Sequence, residues 1–382
     1  MSYYTPSLTG KRAHLQHGMT LIELMVALTV GLLLALAVTT VIAVTLRQQK
    51  VSASVGERDQ AGTYAMAQLD KFIRSAGSGF YNTSALGMLG CTLHAGKGST
   101  TLLPAASLAA PFAGVSSLKA PLAAPVLVEK GVGANGSDVL FVMAAHGAAA
   151  DVPRAVLPAG SAVPTLAFNN VIDLTPKDLV LVAASGQSDC YVSQIDTTAS
   201  ASATVVLGGA YYAASQATPV QAIVDSKAAY MAALGNSTGG YPMARLFGVG
   251  SGDALYQYDV LQLSGSAVDT IAEDVSHLFA VYGVDTDKDG KVDAWVSPDA
   301  AGWTVADLKA ASSKINQILA IRVAVVTHSH GVKQAGISPA TLYAFEDLGT
   351  LKQTITLTSA QRADRFKVTE SIIPLRNNLL VQ

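Results

Sequence analysis

The fold of this chain is decided by residues 18–46, which read GMTLIELMVALTVGLLLALAVTTVIAVTL. From Leu24 to Leu46 there are 23 residues without a charged side chain or a proline. A helix of about 20 apolar residues is long enough to cross the hydrocarbon core of a bilayer. The sequence therefore predicts a membrane-spanning helix over residues 19–46.

Two other kinds of N-terminal segment share this apolarity. A secretory signal peptide has an apolar stretch of about 7–15 residues before a small-residue cleavage site, but here the apolar run continues beyond Ala35-Leu36-Ala37. Glu23 argues against a plain single-pass anchor. Transfer of a carboxylate into the bilayer costs free energy unless the side chain lies at headgroup level. Basic residues flank the segment in similar number on both sides, so charge does not decide its orientation.

The junction before the apolar run, GMTLIELMV over residues 18–26, resembles the class III leader junction of type IV prepilins and pseudopilins. In that family the leader is cut after the glycine, the new N-terminus is methylated, and a glutamate is fifth in the mature chain. The resemblance implies a cleaved basic leader over residues 1–18, with Gly18 read by the peptidase and Met19 modified, where phenylalanine is usual. It also implies that Glu23 pairs with the N-terminal amine of a neighbouring subunit, and an ammonium would relieve a buried carboxylate.

The helix is predicted to extend beyond the membrane. Apolar positions recur at helical spacing over residues 47–76, with charged residues between them, which predicts an amphipathic continuation. The run Gly77-Ser78-Gly79 predicts its end. Gly56 and Gly62 each cost about 1 kcal/mol relative to alanine, so local bending is expected at these positions.

The remaining residues, 77–382, read mainly as short strands separated by turns. A long early helix followed by strands is typical of an α+β fold. With the resemblance, this predicts a type IV pilin-like layout in which the helix packs on a large antiparallel β-rich domain. A short helix is predicted near Ala306–Leu319, and stretches 104–125 and 197–218 as surface loops. The predicted strands are Pro125–Glu129, Asp138–Met143, Asp178–Ala183, Tyr191–Ile195, Thr204–Leu207, Leu255–Leu263, Leu278–Val284 and Ile318–Val326.

Little in this domain indicates catalysis. The run Gly131–Gly136 matches G-x-G-x-x-G, but a strand is predicted after it, which indicates a hairpin loop and not a dinucleotide site. His328 and His330 share one strand face without an identifiable third metal ligand, and we expect them at a solvated strand end. The net charge of −2 leaves no basic surplus for nucleic acid. We expect a structural protein, not an enzyme, with no required cofactor.

One acidic loop has the pattern of a metal site. Asp285, Asp287, Asp289 and Asp293 occupy positions 1, 3, 5 and 9, with glycine at position 6, and Lys291 offers its carbonyl oxygen. Such oxygens bind Ca²⁺, although valine at position 12 shows that this is no full EF-hand. The sequence leaves two interpretations open, a weak Ca²⁺ site and an Asp-Gly turn with solvated acids.

The cysteines are Cys91 and Cys190. Two distant cysteines do not make a zinc site, which needs about four ligands in close pairs. In an exported domain we expect one disulfide, which would stabilise the fold by up to about 4–5 kcal/mol in the chain-entropy model. The alternative is two buried thiols.

Further matches narrow the resemblance. Residues 272–285 read AEDVSHLFAVYGVD and lead into the acidic loop, and this pattern resembles PilW-type minor pilins. Shorter matches are Gly136–Leu140, Ile321–Ala324 and Leu375–Asn377, whereas stretches 95–125 and 197–250 show no recognisable resemblance.

This resemblance implies a low-abundance minor pilin that primes assembly of a type IV pilus and lies near its tip. The implied partners are the prepilin peptidase, other minor pilins, the major pilin, the inner-membrane assembly platform and a large tip adhesin, with twitching motility and cell adhesion as the processes served. The implied location is the inner membrane, with the domain in the periplasm, and then the pilus. A minor pseudopilin of a type II secretion system and a membrane-anchored adhesive or binding module remain alternatives.

Overall fold

The computed structural model describes residues 19–80, 88–146, 153–329 and 336–379. Within these ranges the chain forms one long helix, three short helices and twenty strands. The predicted leader, with Gly18, and the second histidine of the predicted pair, His330, lie outside the described residues.

The long helix, α1, comprises the 55 residues Leu21–Ser75. The chain divides into two compact units at Ala53, so α1 contributes to both of them. In the first unit every described side chain up to Lys50 is exposed, although most of them are apolar. Of the described helices, α1 is the one long and apolar enough to cross a membrane.

In the second unit α1 packs on the β-rich domain by one stripe of side chains. Ala65, Leu69 and Ile73 recur every four residues, which places them on one helix face, and all three are fully buried in the main core. Gly62 lies closest to the sheet: a Cβ atom there would meet the Thr327 hydroxyl oxygen at 3.3 Å. This glycine therefore permits close approach of helix and strand, whereas Gly56 has open space around it.

The strands are β1 Thr92–Lys97, β2 Thr100–Leu103, β3 Val126–Glu129, β4 Val139–Ala144, β5 Arg154–Ala155, β6 Leu157–Ala162, β7 Thr165–Ala167, β8 Asp178–Ala184, β9 Asp189–Ala199, β10 Thr204–Leu207, β11 Ala229–Asn236, β12 Met243–Gly250, β13 Ala254–Asp259, β14 Val268–Glu273, β15 Val275–Val284, β16 Ala294–Val296, β17 Ile318–Ser329, β18 Thr341–Ala344, β19 Gln353–Thr356 and β20 Arg365–Pro374. The short helices are α2 Ala217–Asp225, α3 Val305–Ala310 and α4 Arg376–Leu379.

These strands form four sheets. A nine-stranded sheet has the order β5-β11-β8-β9-β10-β7-β6, with β1 and β2 joined to it through β9. A five-stranded sheet has the order β14-β13-β12-β4-β3, a four-stranded sheet the order β16-β15-β17-β20, and β18 pairs with β19. Among the described strand pairs, β1 with β9 is the parallel one, and the rest are antiparallel. The expected fold class, a long apolar helix followed by an antiparallel β-rich domain, is confirmed.

Each predicted strand is present, with ends that shift by a few residues. The predicted short helix is α3, which ends at Ala310 and is followed by a 3-10 turn over Ser312–Gln317. The stretch 197–218 is not wholly loop, because it contains the end of β9, all of β10 and the start of α2. The Gly131–Gly136 motif joins β3 to the antiparallel β4, so the hairpin interpretation is confirmed.

Cys91 and Cys190 form the expected disulfide. Cys91 directly precedes β1, and Cys190 lies in β9 opposite Leu93 of β1. The covalent link therefore secures the one parallel strand pair described, whose strands are almost a hundred residues apart in sequence.

The β3–β4 hairpin joins the five-stranded sheet to the four-stranded sheet through buried polar contacts with β15. Val128 donates its N–H to the Tyr282 hydroxyl oxygen at 2.7 Å, and Ala280 donates its N–H to Asp138 Oδ2 at 2.8 Å. Gly131 donates to Asp138 Oδ1 at 3.0 Å. Because Tyr282 and Asp138 are almost completely buried, these bonds hold the two sheets together without help from water.

Candidate functional site

The first candidate site is the N-terminal turn of α1. Thr20 donates from its N–H and from its hydroxyl to Glu23 Oε2, at 2.9 and 3.0 Å, and Glu23 donates its N–H back to the Thr20 hydroxyl oxygen at 3.3 Å. This is a capping box, in which two side chains satisfy backbone donors that the helix itself leaves unpaired. The Glu23 carboxylate therefore has a local partner in the uncut chain, one turn from Met19.

Behind this turn the helix surface is suited to lipid or to other apolar helices. Four threonines interrupt the apolar run, and each donates its hydroxyl to a backbone carbonyl three or four residues earlier. The donors are Thr29, Thr39, Thr40 and Thr45. Bonds of this kind satisfy the hydroxyl inside a membrane, where water is absent. The threonines consequently do not weaken the assignment of this segment as apolar.

The second candidate site is the acidic loop between β15 and β16. Asp285, Asp287, Asp289 and Asp293 each offer a carboxylate oxygen, and these four oxygens lie within 4.8 Å of one another. Asp285 is fully buried and the other three are exposed. The carboxylates therefore converge as the sequence predicts, with Asp285 directly after β15 and Asp293 directly before β16.

Hydrogen bonds inside this loop fix its shape. Asp285 accepts from the N–H groups of Lys288 and Gly290, at 2.6 and 2.8 Å. Asp293 accepts from the N–H and the hydroxyl of Thr286, at 2.7 and 2.8 Å. Gly290 has a positive φ of 82°, which only glycine adopts without strain. The loop backbone thus wraps around the first and last carboxylates.

The charge state of the loop favours cation binding. The Lys291 ammonium and its backbone N–H hold the pKa of Asp289 below its ordinary value. Hydrogen bonds from the Thr286 backbone and hydroxyl do the same for the pKa of Asp293. Both groups are therefore ionised at neutral pH, as oxygen ligands of Ca²⁺ must be. The Lys291 ammonium lies 2.6 Å from Asp289 Oδ2, where it competes with a cation for the same oxygen.

The expectation for His328 is wrong. Instead of a solvated strand end, this side chain is buried at 3% exposure, lies 3.2 Å from the Asp253 carboxylate and stacks on Phe366. The reason is tertiary: Phe366, on β20, and the turn between β12 and β13 cover the end of β17. The alternation of residues along a strand shows on which face of the sheet a histidine lies, but it does not show which other segments cover that face.

The chain matches two known protein families, each over part of its length. The model of the prokaryotic N-terminal methylation motif matches residues 14–39, which include the leader junction and the first turns of α1. The model of the type IV pilus-assembly protein W matches residues 247–377, which run from the end of β12 to the start of α4 and include the acidic loop. No curated protein and no solved structure matches the chain.

The two matches fall where the geometry requires them. A methylation motif belongs at the start of an apolar helix, and here it ends within the exposed apolar half of α1. The second match covers the four-stranded sheet that α1 approaches at Thr327. With this junction, this helix and this sheet in one polypeptide, the two family matches support a type IV prepilin-like protein of the PilW type.

Proposed function

We propose that this protein is a minor pilin that primes the assembly of a type IV pilus and is incorporated at or near its tip. The observation that carries the proposal is the combination of a methylation-motif junction with a segment, residues 19–50, in which all 32 described positions are exposed and most are apolar. In a soluble protein such a surface would be buried by folding. Here it serves first as a membrane anchor and then as the contact with other pilin helices.

Cleavage and methylation prepare this helix for assembly. Removal of residues 1–18 makes Met19 the N-terminal residue, and its amine then lies one turn from the Glu23 carboxylate. Within the filament, Glu23 pairs with the amine of a neighbouring subunit, an interaction that gains strength in an apolar environment. Partners on this pathway are the prepilin peptidase, the inner-membrane assembly platform, the major pilin, other minor pilins and a large tip adhesin.

The β-rich domain is proposed to lie in the periplasm before assembly and at the cell surface afterwards. The disulfide between Cys91 and Cys190 supports this location, because disulfides persist in oxidising compartments. The role is structural and not catalytic. We further propose that the acidic loop binds Ca²⁺ weakly through Asp285, Asp287, Asp289, Asp293 and the carbonyl oxygen of Lys291, although folding requires no cofactor.

The decisive experiment is a deletion strain, in which sheared surface pili are counted and secretion of a type II substrate is measured in parallel. We expect fewer pili, impaired twitching motility and normal secretion. Normal pili with failed secretion would instead assign the protein to the secretion machine as a minor pseudopilin. Normal results in both assays would leave the membrane-anchored binding module as the explanation.

Mass spectrometry tests the processing step independently. The mature protein should yield an N-methylated peptide beginning at Met19, and a Gly18→Val variant should accumulate as an uncut precursor. An intact leader on wild-type protein extracted from membranes would contradict the proposed maturation.

A further inference from the structure

A cleft in the β-rich domain has the composition of an anion-binding pocket. It lies between the last turns of α1 and β12, and its volume is about 330 Å³. This lies within the range of about 300–1,000 Å³ that is usual for small-molecule sites. The residues that matter for the argument are Lys71, Phe72, His146, Tyr241 and Arg245, all of which line the cleft.

The cleft concentrates positive charge. Lys71 and Arg245 bring two cations to its wall, and His146 adds an imidazole, whereas none of the described lining residues is aspartate or glutamate. Both cations lie over the same aromatic ring: Lys71 Nζ is 5.9 Å and Arg245 Cζ 5.5 Å from the centre of the Phe72 ring. Two like charges held on one ring repel each other, and an anion between them would relieve that repulsion.

The acidic side chain that lies opposite Arg245 does not neutralise this pair fully. Asp259 lies opposite Arg245 in the strand register, but its carboxylate accepts N–H groups of the following turn. Leu261 donates to Oδ1 at 3.0 Å and Leu263 to Oδ2 at 2.9 Å. Asp259 therefore stabilises its own turn, and Lys71 has no carboxylate partner among the described residues.

The Arg245 guanidinium and the Phe72 ring are held in place before any ligand arrives. Arg245 Nη1 donates to Gln257 Oε1 at 2.9 Å, and the Phe72 ring packs against Phe247 with 5.1 Å between ring centres. Such preorganisation reduces the entropy lost on binding. Tyr241, which is 46% exposed, adds an aromatic surface beside the cations, and its hydroxyl adds a hydrogen-bonding group.

We propose that this cleft binds an acidic monosaccharide, with the sugar carboxylate between Lys71 and Arg245 and the sugar ring against Tyr241. A guanidinium and an ammonium supply charge-assisted hydrogen bonds to the carboxylate, and an aromatic face suits the C–H surface of a pyranose ring. The inference does not depend on the assembly role, because all the lining residues belong to the second compact unit, Ser54–Gln382, and none to the membrane-spanning part of α1.

Calorimetric titration of the full chain in an uncharged polyoxyethylene detergent tests this assignment. Glucuronate, glucose and inorganic phosphate are compared at low and high salt. We expect glucuronate to bind at least about tenfold more tightly than glucose, since one charge-assisted hydrogen bond contributes that much. High salt should weaken glucuronate binding.

Variants decide which residues are responsible. Lys71→Gln combined with Arg245→Gln should lower glucuronate affinity by about tenfold or more, whereas Lys309→Gln, an exposed lysine outside the cleft, should have no effect. Thermal melting checks that each variant folds. Should the double variant unfold, Lys71→Gln alone carries the test, because Lys71 is exposed on the helix.

The assignment is overturned if glucuronate produces no binding heat, or if glucose binds as tightly. It is equally overturned if the Lys309→Gln variant loses as much affinity as the cleft variants. Equal affinity for phosphate and glucuronate would reject the sugar as the ligand, because it would show that the cleft recognises charge alone.

Discussion

Thr20 and Glu23 are joined reciprocally at the start of α1: Glu23 Oε2 accepts both the N–H and the hydroxyl of Thr20, and the Glu23 N–H returns a bond to that hydroxyl oxygen. The glutamate therefore has two separable properties, a hydrogen-bond acceptor for capping and a charge for pairing with an amine. Under the proposed cleavage, the new amine at Met19 would become a competitor for the same carboxylate.

Substitutions at this position can separate the two properties. Glu23→Gln keeps an acceptor oxygen but removes the charge, and Glu23→Val removes both. We expect both variants to insert into the membrane, because each lowers the cost of burial in lipid. Both should appear in sheared pili at about tenfold lower levels, since each loses a charge-assisted contact.

Thr20→Val is the matched control, because it removes the capping hydroxyl and leaves the carboxylate. Its incorporation into pili should stay close to wild type. Quantitative immunoblots of sheared pili and of membranes give the ratio needed. If the Glu23→Gln variant enters pili at the wild-type level, the function of residue 23 is to cap the helix and not to provide a charge.

The buried hydroxyl of Tyr282 offers a test of how the two sheets are joined. Tyr282→Phe leaves the Val128 N–H without its partner at an edge strand of the five-stranded sheet. An unsatisfied buried donor costs about 1–3 kcal/mol, so the free energy of unfolding should fall by that amount. Chemical denaturation measures it, and Tyr64→Phe, on an exposed tyrosine, should change nothing. Equal stability of wild type and Tyr282→Phe would mean that water or a backbone shift replaces the lost bond.

Asp138 predicts a pH dependence of stability. Burial raises the pKa of Asp138 to about 6, against the opposing effect of the N–H groups of Ala280 and Gly131. In the unfolded chain the pKa is about 3.9. Because the folded state holds the proton more tightly, the stabilisation is complete below about pH 4 and is lost as pH rises through about 6.

The Asp138→Asn variant isolates this contribution, because asparagine does not titrate. The difference in unfolding free energy, wild type minus variant, should fall by up to about 3 kcal/mol between pH 4 and pH 7. Denaturation series at several pH values measure it, and other titrating groups cancel in the difference. A difference that stays constant across this range would contradict a raised pKa.

The acidic loop is tested by titration with Ca²⁺. We expect binding with a dissociation constant of about 10⁻⁴–10⁻³ M, the range of extracellular sites. Asp287→Ala should weaken it strongly, and Asp269→Ala, on an exposed acid outside the loop, should not. Lys291→Ala keeps the backbone carbonyl and removes the ammonium beside Asp289, so it should tighten binding. Absence of binding heat in the wild type would leave an Asp-Gly turn held by its own hydrogen bonds.

Three of the strands that sequence reasoning missed have identifiable physical causes. β11, AYMAALGN, and β12, MARLFGVG, are rich in alanine and glycine, which have low β-propensity, yet both lie in the interior of their sheets. Burial by neighbouring strands outweighs intrinsic preference there. β20, RFKVTESIIP, is a sheet edge with charged residues, a pattern that does not alternate cleanly.

The sequence by itself determined what depends on neighbours along the chain. The apolar helix and the convergence of Asp285 with Asp293 were predicted from spacings of fewer than ten residues, or from one unbroken run. The capping pair of Thr20 and Glu23 was not predicted, although its T-x-x-E spacing is the signal that would have revealed it. Local backbone geometry decides such features, so the residue order is sufficient to predict them.

Only the tertiary structure decided the contacts between distant segments. The parallel pairing of β1 with β9, the burial of His328, the bond between Val128 and Tyr282, and the cleft that joins Lys71 to Arg245 each require residues more than 60 positions apart. Their closure costs chain entropy that grows slowly with length. Burial of the whole core compensates for that cost. The local sequence pattern does not show which distant residues the folded core brings into contact.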